Sequence, residues 1–143
     1  MTRKLKLTLL PERLSICRLD PDAPIPDWAK GESFLSICRT TDELSIVCPQ
    51  RQVPPGVKRD DGWRCFKVED TLDVAITGVL AALTMPLAFE NISVFAISTF
   101  DTDYLLVPQK NMEKAITILD QNGHLIAFPQ GEEGSAKLSD FRS

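Results

Sequence analysis

Two stretches of helical periodicity, with two strand-like runs between them, constrain this chain more than any other feature. Ile76, Val79, Leu80, Leu83 and Leu87 recur at i, i+3, i+4, i+7 and i+11; Met112, Ala115, Ile116 and Leu119 recur at i, i+3, i+4 and i+7. Each set lines one face of a helix, and that face must be buried. Between them Ser93–Thr99 and Tyr104–Val107 are short apolar runs around Phe100-Asp-Thr-Asp. Trp63–Glu69 before and Leu125–Phe128 after complete a β-α-β-β-α-β order. That order predicts an antiparallel sheet with both helices on one face. Pro86 must kink or shorten the first helix, because it cannot donate to the carbonyl four residues back. Asn111 is placed to be the N-cap of the second, and Gly123 its C′ residue.

The first half is rich in short strands. Lys4–Leu10 alternates Leu5, Leu7 and Leu9 with polar residues, and Arg13–Leu19 alternates again. Three prolines in Asp20-Pro-Asp-Ala-Pro-Ile-Pro-Asp preclude a regular helix there. Ser33–Cys38 and Glu43–Cys48, separated by Arg39-Thr-Thr-Asp, predict a hairpin. Gln50–Gly62, with Pro54-Pro-Gly and mixed charges, reads as a linker. A shift of 60 residues superimposes this hairpin pattern on Ser93–Val107, which suggests a duplication.

Composition and side-chain inventory exclude much chemistry. The chain has 143 residues, 43% of them apolar, and a formal net charge of −4. This fits one folded domain or two small ones, and argues against a nucleic-acid surface. Val74–Phe89 is uncharged but shorter than the roughly 20 residues that span a bilayer. Met1-Thr-Arg-Lys-Leu-Lys-Leu-Thr has no apolar signal core, so a cytoplasmic protein is expected. Cys17, Cys38, Cys48 and Cys65 form no C-x-x-C and read as buried thiols. His124, the single histidine, follows Asn122-Gly123 and reads as a neighbour of a helix end. There is no nucleotide-binding glycine motif, nucleophile elbow or H-E-x-x-H, so catalysis, cofactor and metal are not expected.

The stretch Ile76-Thr-Gly-Val-Leu-Ala, Pro86-Leu-Ala-Phe-Glu-Asn-Ile-Ser-Val and Phe95-Ala-Ile-Ser-Thr-Phe-Asp-Thr-Asp-Tyr-Leu-Leu-Val resembles the ACT domain, in the branch of the CASTOR arginine sensors and small bacterial two-ACT proteins. Asn111-Met-Glu-Lys-Ala, Leu119 and Gly123 fit that family's second helix. The resemblance implies an α+β fold of tandem ferredoxin-like (βαββαβ) ACT units with antiparallel sheets. A degenerate N-terminal unit would occupy residues 1–61, an ACT domain 62–129 and a polar tail 130–143. It also implies a non-catalytic regulatory protein that binds an amino acid, with no cofactor, no metal, no nucleic acid and no membrane. An ACT sheet leaves an edge open, so a homodimer is expected. The ligand carboxylate would meet the backbone N–H groups of a helix start at Thr77, Gly78 and Val79. The ammonium would meet carbonyls of Asn91, Ile92, Ser93 and Val94 and a carboxylate of Asp101 or Asp103, with Ser98 and Thr99 beside them. That pocket would be closed by a second ACT unit, in the same chain or another. Asn91 stands where the family usually has Gly, in the turn before the second strand. Two other classes compete. One is an ACT-type interaction module that has lost its ligand. The other is RNA binding, since RNA-recognition domains share the strand order; Ile97, Ser98 and Val107 offer that role neither aromatics nor basic groups.

Overall fold

A computed structural model describes residues 4–69, 78–131 and 134–135 of the protein. The chain divides into two compact units. The larger holds Met1–Pro11 with Arg64–Ser143, and the smaller is Glu12–Trp63.

In the larger unit the strands are β1 (Lys6–Leu9), the second half of β5 (Lys58–Val68), β6 (Phe95–Ser98), β7 (Asp103–Pro108) and β8 (Leu125–Ala127). The helices are α1 (Val79–Phe89) and α2 (Met112–Gln121). The run β5-α1-β6-β7-α2-β8 is the predicted βαββαβ order. Strands lie side by side as β8-β1-β5-β7-β6. β1, expected in the N-terminal unit, is inserted between the first and last strands of the ferredoxin-like order. Its pairing with β5 is antiparallel, Leu7 opposite Val68 and Leu9 opposite Phe66. Its pairing with β8 is parallel, Lys6 opposite Leu125 and Thr8 opposite Ala127. The expected all-antiparallel sheet is therefore mixed. β8 keeps the direction that would pair it antiparallel to β5, and the inserted strand, itself antiparallel to β5, must run alongside it.

Both helices cover one face of this sheet. Val79, Leu83 and Leu87 of α1 and Met112, Ala115, Ile116 and Leu119 of α2 pack with Leu5, Leu7, Leu9, Phe66, Val68, Leu105 and Val107 in one core. Ile76, expected on the first helix, lies outside the described residues. α1 continues through Pro86 to Phe89 rather than ending at it. The expected Asn111 side-chain cap does not form; a 3-10 turn, Gln109–Asn111, leads into α2 instead. Gly123, at φ +89°, does end α2. Its N–H donates to the Asp120 carbonyl at 2.9 Å, and the N–H of His124 donates to Leu119 at 3.1 Å, a Schellman closure that needs a left-handed residue. Within the predicted tail, Gln130–Gly131 and Gly134–Ser135 form a short antiparallel pair; residues 136–143 lie outside the described ones.

The smaller unit is an antiparallel sheet in the order β3-β4-β2-β5, made of β2 (Leu14–Leu19), β3 (Ser36–Arg39), β4 (Leu44–Pro49) and the first half of β5. The predicted hairpin is present, with Ser36 opposite Val47 and Arg39 opposite Leu44. Its turn is held by Thr40, whose hydroxyl accepts from the N–H groups of Asp42 and Glu43. Cys17, Ala29, Leu44, Ile46, Cys48 and Val53 form the core. Among its described residues this unit has no α-helix, only the 3-10 turn Gln50–Gln52. The expected second βαββαβ unit is thus replaced by a strand-rich one. The prolines of the 20–27 segment remove the first helix. The last part of the expected linker is strand, since Lys58, Arg59 and Asp60 pair with Arg18, Cys17 and Ile16.

Candidate functional site

The predicted site residues fall at the two ends of α1. Thr77 lies outside the described residues. Gly78 is the N-cap of α1, exposed, at φ +81°, with no side chain capping the helix. The first intrahelical bond runs from the Ala82 N–H to the Gly78 carbonyl at 3.0 Å. The N–H groups of Val79, Leu80 and Ala81 therefore find no acceptor within the helix, and its first turn carries no acidic residue. Val79 itself is a core side chain, so only its backbone can meet a ligand. An uncapped helix start without acidic side chains favours an anion.

Asn91, Ile92, Ser93 and Val94 lie at the other end. Asn91 has φ +57° and donates its N–H to the Ala88 carbonyl at 3.0 Å, while Ile92 donates to Leu87 at 3.0 Å. This is the same Schellman closure that ends α2. Asn91 is the left-handed stop of α1, and Ile92 folds back onto Leu87 in the core. Val94 packs against that core and Ser93 is exposed. An 11-residue helix is about 16 Å long. Within one chain, then, the Gly78–Val79 start does not meet the Asn91–Val94 turn.

Ser98, Thr99, Asp101 and Asp103 form the β6–β7 hairpin. Ser98 stands opposite Asp103 and donates to its Oδ1 at 2.6 Å. The Thr99 N–H and hydroxyl both donate to the Thr102 carbonyl, at 2.8 and 3.1 Å. The Thr102 hydroxyl ties the tip to the Val68 carbonyl at the end of β5, at 2.7 Å. Asp101 is exposed, and Phe100 beside it is 93% exposed. The hairpin tip stands where β5 ends and β1 begins. The first half of α1 reaches that same end, because Ala82 lies against His124, whose ring contacts Leu5 just before β1. One end of the sheet thus carries an uncapped helix start and a rigid hairpin with two carboxylates; the Asn91–Val94 turn is at the opposite end.

The cysteines and the histidine separate. Cys17, Cys48 and Cys65 are buried as expected, but Cys38 is exposed on the edge strand β3. Burial pushes the Cys65 thiol up to about 12, and the Cys48 side chain together with burial pushes Cys17 up. Neither of these two is an available nucleophile at neutral pH; the Cys48 thiol is lowered by its hydrogen bond with Cys17, but it is buried. His124, expected beside a helix end, is there but is also buried and bonded to the inserted strand, a role its sequence position does not reveal. Among the described residues no group of three His, Cys, Asp or Glu side chains is arranged to hold a metal ion. No helix among them is long and apolar enough to cross a membrane.

Residues 58–121 match the ACT domain family, and residues 12–56 match a different family of N-terminal domains. A solved protein from Agobacterium tumefaciens is 39% identical, covering 90% of this chain and 96% of its own, with a TM-score of 0.86. A Vibrio cholerae protein of unknown function, described as a possible transport protein, is 15% identical over 83% of this chain and 90% of its own, with a TM-score of 0.67. The aspartate kinase of Clostridium acetobutylicum, described as an allosteric enzyme, is 12% identical over 81% of this chain and 34% of its own, with a TM-score of 0.60.

Proposed function

We propose that this chain, whose residues 58–121 form an ACT-domain module joined to a distinct N-terminal domain, is a non-catalytic regulatory protein that binds an amino acid in the cytoplasm. One observation carries this reading: among the described residues the start of α1 has no side-chain cap, is led by a glycine and has no acidic residue in its first turn, and it shares its end of the sheet with Asp101 and Asp103. The helix start suits a carboxylate and the hairpin carboxylates suit an ammonium, the two charges every free amino acid presents. The Asn91–Val94 turn joins such a site only from a second copy, so the proposed site is completed in a homodimer. The aspartate kinase has this fold and is described as allosteric, which supports a regulatory role at the level of fold analogy.

Calorimetry of the chain against the twenty amino acids tests this. One of them should bind, Gly78→Leu should abolish binding, and Asp103→Asn should weaken it by about 1–3 kcal/mol. The φ of +81° strains any side chain at position 78, so Gly78→Ala, which should retain binding, serves as the control for strain. If no amino acid produces heat or a thermal shift, the reading fails. A second reading then takes over, that of an interaction module. It is favoured by the outward face of α1, where Met85 is 54% and Phe89 78% exposed on a helix with no charged residue.

A further inference from the structure

His124 is 1% exposed, and its Nδ1 accepts the Leu5 N–H at 3.1 Å. An acceptor at Nδ1 fixes the neutral ring with its proton on Nε2. On the Nε2 side lies the Ala82 carbonyl of α1, the acceptor that Pro86, four residues on, has no N–H to satisfy. Nε2 is buried and makes no hydrogen bond of standard geometry. Directly after the ring, the Leu125 N–H donates to the Leu5 carbonyl at 2.9 Å, and the parallel β1–β8 ladder begins. Leu5 is thus held by both of its backbone polar groups, one through the imidazole and one through the first residue of β8.

We propose that His124 is a proton-operated latch on the β1–β8 pair: the neutral ring holds the edge strand β8 against β1, and the protonated ring releases it. An imidazolium carries hydrogen on both nitrogens. Nδ1–H would then point at the Leu5 N–H, two donors facing each other in a dry site, with a charge to solvate as well. The described groups around the ring do not offset this. α1 and β8 contain no ionisable residue. On the β1 side the Lys4 stem packs along Gly123 and brings a like charge. Asp120 of α2 is exposed, and Glu69 at the end of β5 is paired with Lys67 at 3.7 Å. Among the described residues, burial, which disfavours the charged ring, and the Ala82 carbonyl, which favours it, act on the titration.

The two strands are not equally easy to release. β1 and the residue before it send Leu5, Leu7 and Leu9 into the core, whereas β8 has three residues, and Leu125 and Ala127 are exposed. β8 is therefore the piece that leaves, and its departure bares the outer N–H and C=O groups of β1 to another strand.

Amide hydrogen exchange of the full chain at pH 7.5 and 5.5, corrected for intrinsic rates, tests the latch. Protection at Leu5 and Leu125–Ala127 should fall about tenfold between the two pH values, while Phe66 and Leu105 keep theirs. His124→Asn offers an acceptor near the Nδ1 position and cannot charge, so its protection should be the same at both pH values. His124→Phe, with no acceptor, should leave Leu5 fast at both. The proposal is overturned if wild-type protection at Leu5 does not change, if it falls together with Phe66 and Leu105, or if His124→Asn keeps the pH dependence. Should the variants not fold, the ring and Leu5 amide resonances of the wild type decide: a shared titration midpoint supports the latch, and separate midpoints overturn it.

Discussion

Leu7→Ala tests the insertion of β1 into the ACT sheet. Leu7 is 1% exposed and packs in the core formed by α1, α2 and the sheet, although it lies more than fifty residues before the rest of that unit. Truncating a leucine so enclosed removes its transfer free energy and leaves a cavity, together about 3 kcal/mol. Val68, opposite Leu7 on β5, and Leu83 of α1 in the same core are themselves buried and have little room to collapse into the gap. For a chain of this size the loss corresponds to roughly 10 °C in melting temperature. Lys6→Ala is the control, since its side chain is on the exposed face of the same strand and should shift stability by no more than about 0.5 kcal/mol. Calorimetric melting of the two variants, with exchange of the Phe66 and Leu105 amides as the local readout, checks the reasoning. Equal melting temperatures for Leu7→Ala and Lys6→Ala would falsify it.

Pro86→Ala should stabilise the chain by about 1–3 kcal/mol in urea melts, because it restores a donor for the Ala82 carbonyl in the helix interior. Gly123→Ala should destabilise it by about 1–2 kcal/mol, since φ is +89° and the new Cβ would lie 3.0 Å from the Lys4 stem. Under native conditions a thiol reagent should modify Cys38 alone at speed, and the other three only after unfolding; rapid modification of a second thiol counts against the fold. The His124 ring is held below the ordinary 6.5 by burial, with Ala82 partly opposing. Above that value both states are neutral and its contribution to stability is complete. As pH falls below it the unfolded chain takes up the proton first, and stability declines until the folded ring titrates too. Melts of His124→Asn should lack that acid-side decline.

The legible parts of the fold are those written in local periodicity. Leu83 and Leu87 on one helix, Ala115 and Leu119 on the other, and the Ser98–Asp103 hairpin all lie where spacing places them. The alternation of Leu5, Leu7 and Leu9 marks a strand, but alternation names a face and not a neighbour. Which strand β1 joins is decided by a pairing across nearly sixty residues, and no local pattern records it. The run Lys58–Asp60 misleads for a related reason: its side chains are exposed, so it carries linker chemistry on a backbone that is paired to β2.

The site shows the same division. Gly78 and the Asp101–Asp103 turn are local features, and each occupies the structural position its residues suggest. Asn91 was legible as a left-handed residue, yet its position in the turn that ends α1 puts the length of a helix between it and Gly78. His124 was the least legible. Its neighbours in sequence describe a helix end, while its partners, Leu5 and Ala82, are 119 and 42 positions away. A buried imidazole is chosen by the backbone groups the fold leaves over. Here one is the N–H just before an inserted strand and the other a carbonyl orphaned by proline, and the first reaches the ring only once β1 lies beside β8. Inserting that strand therefore enlarges the sheet and also creates the polar environment that makes this histidine sensitive to protons.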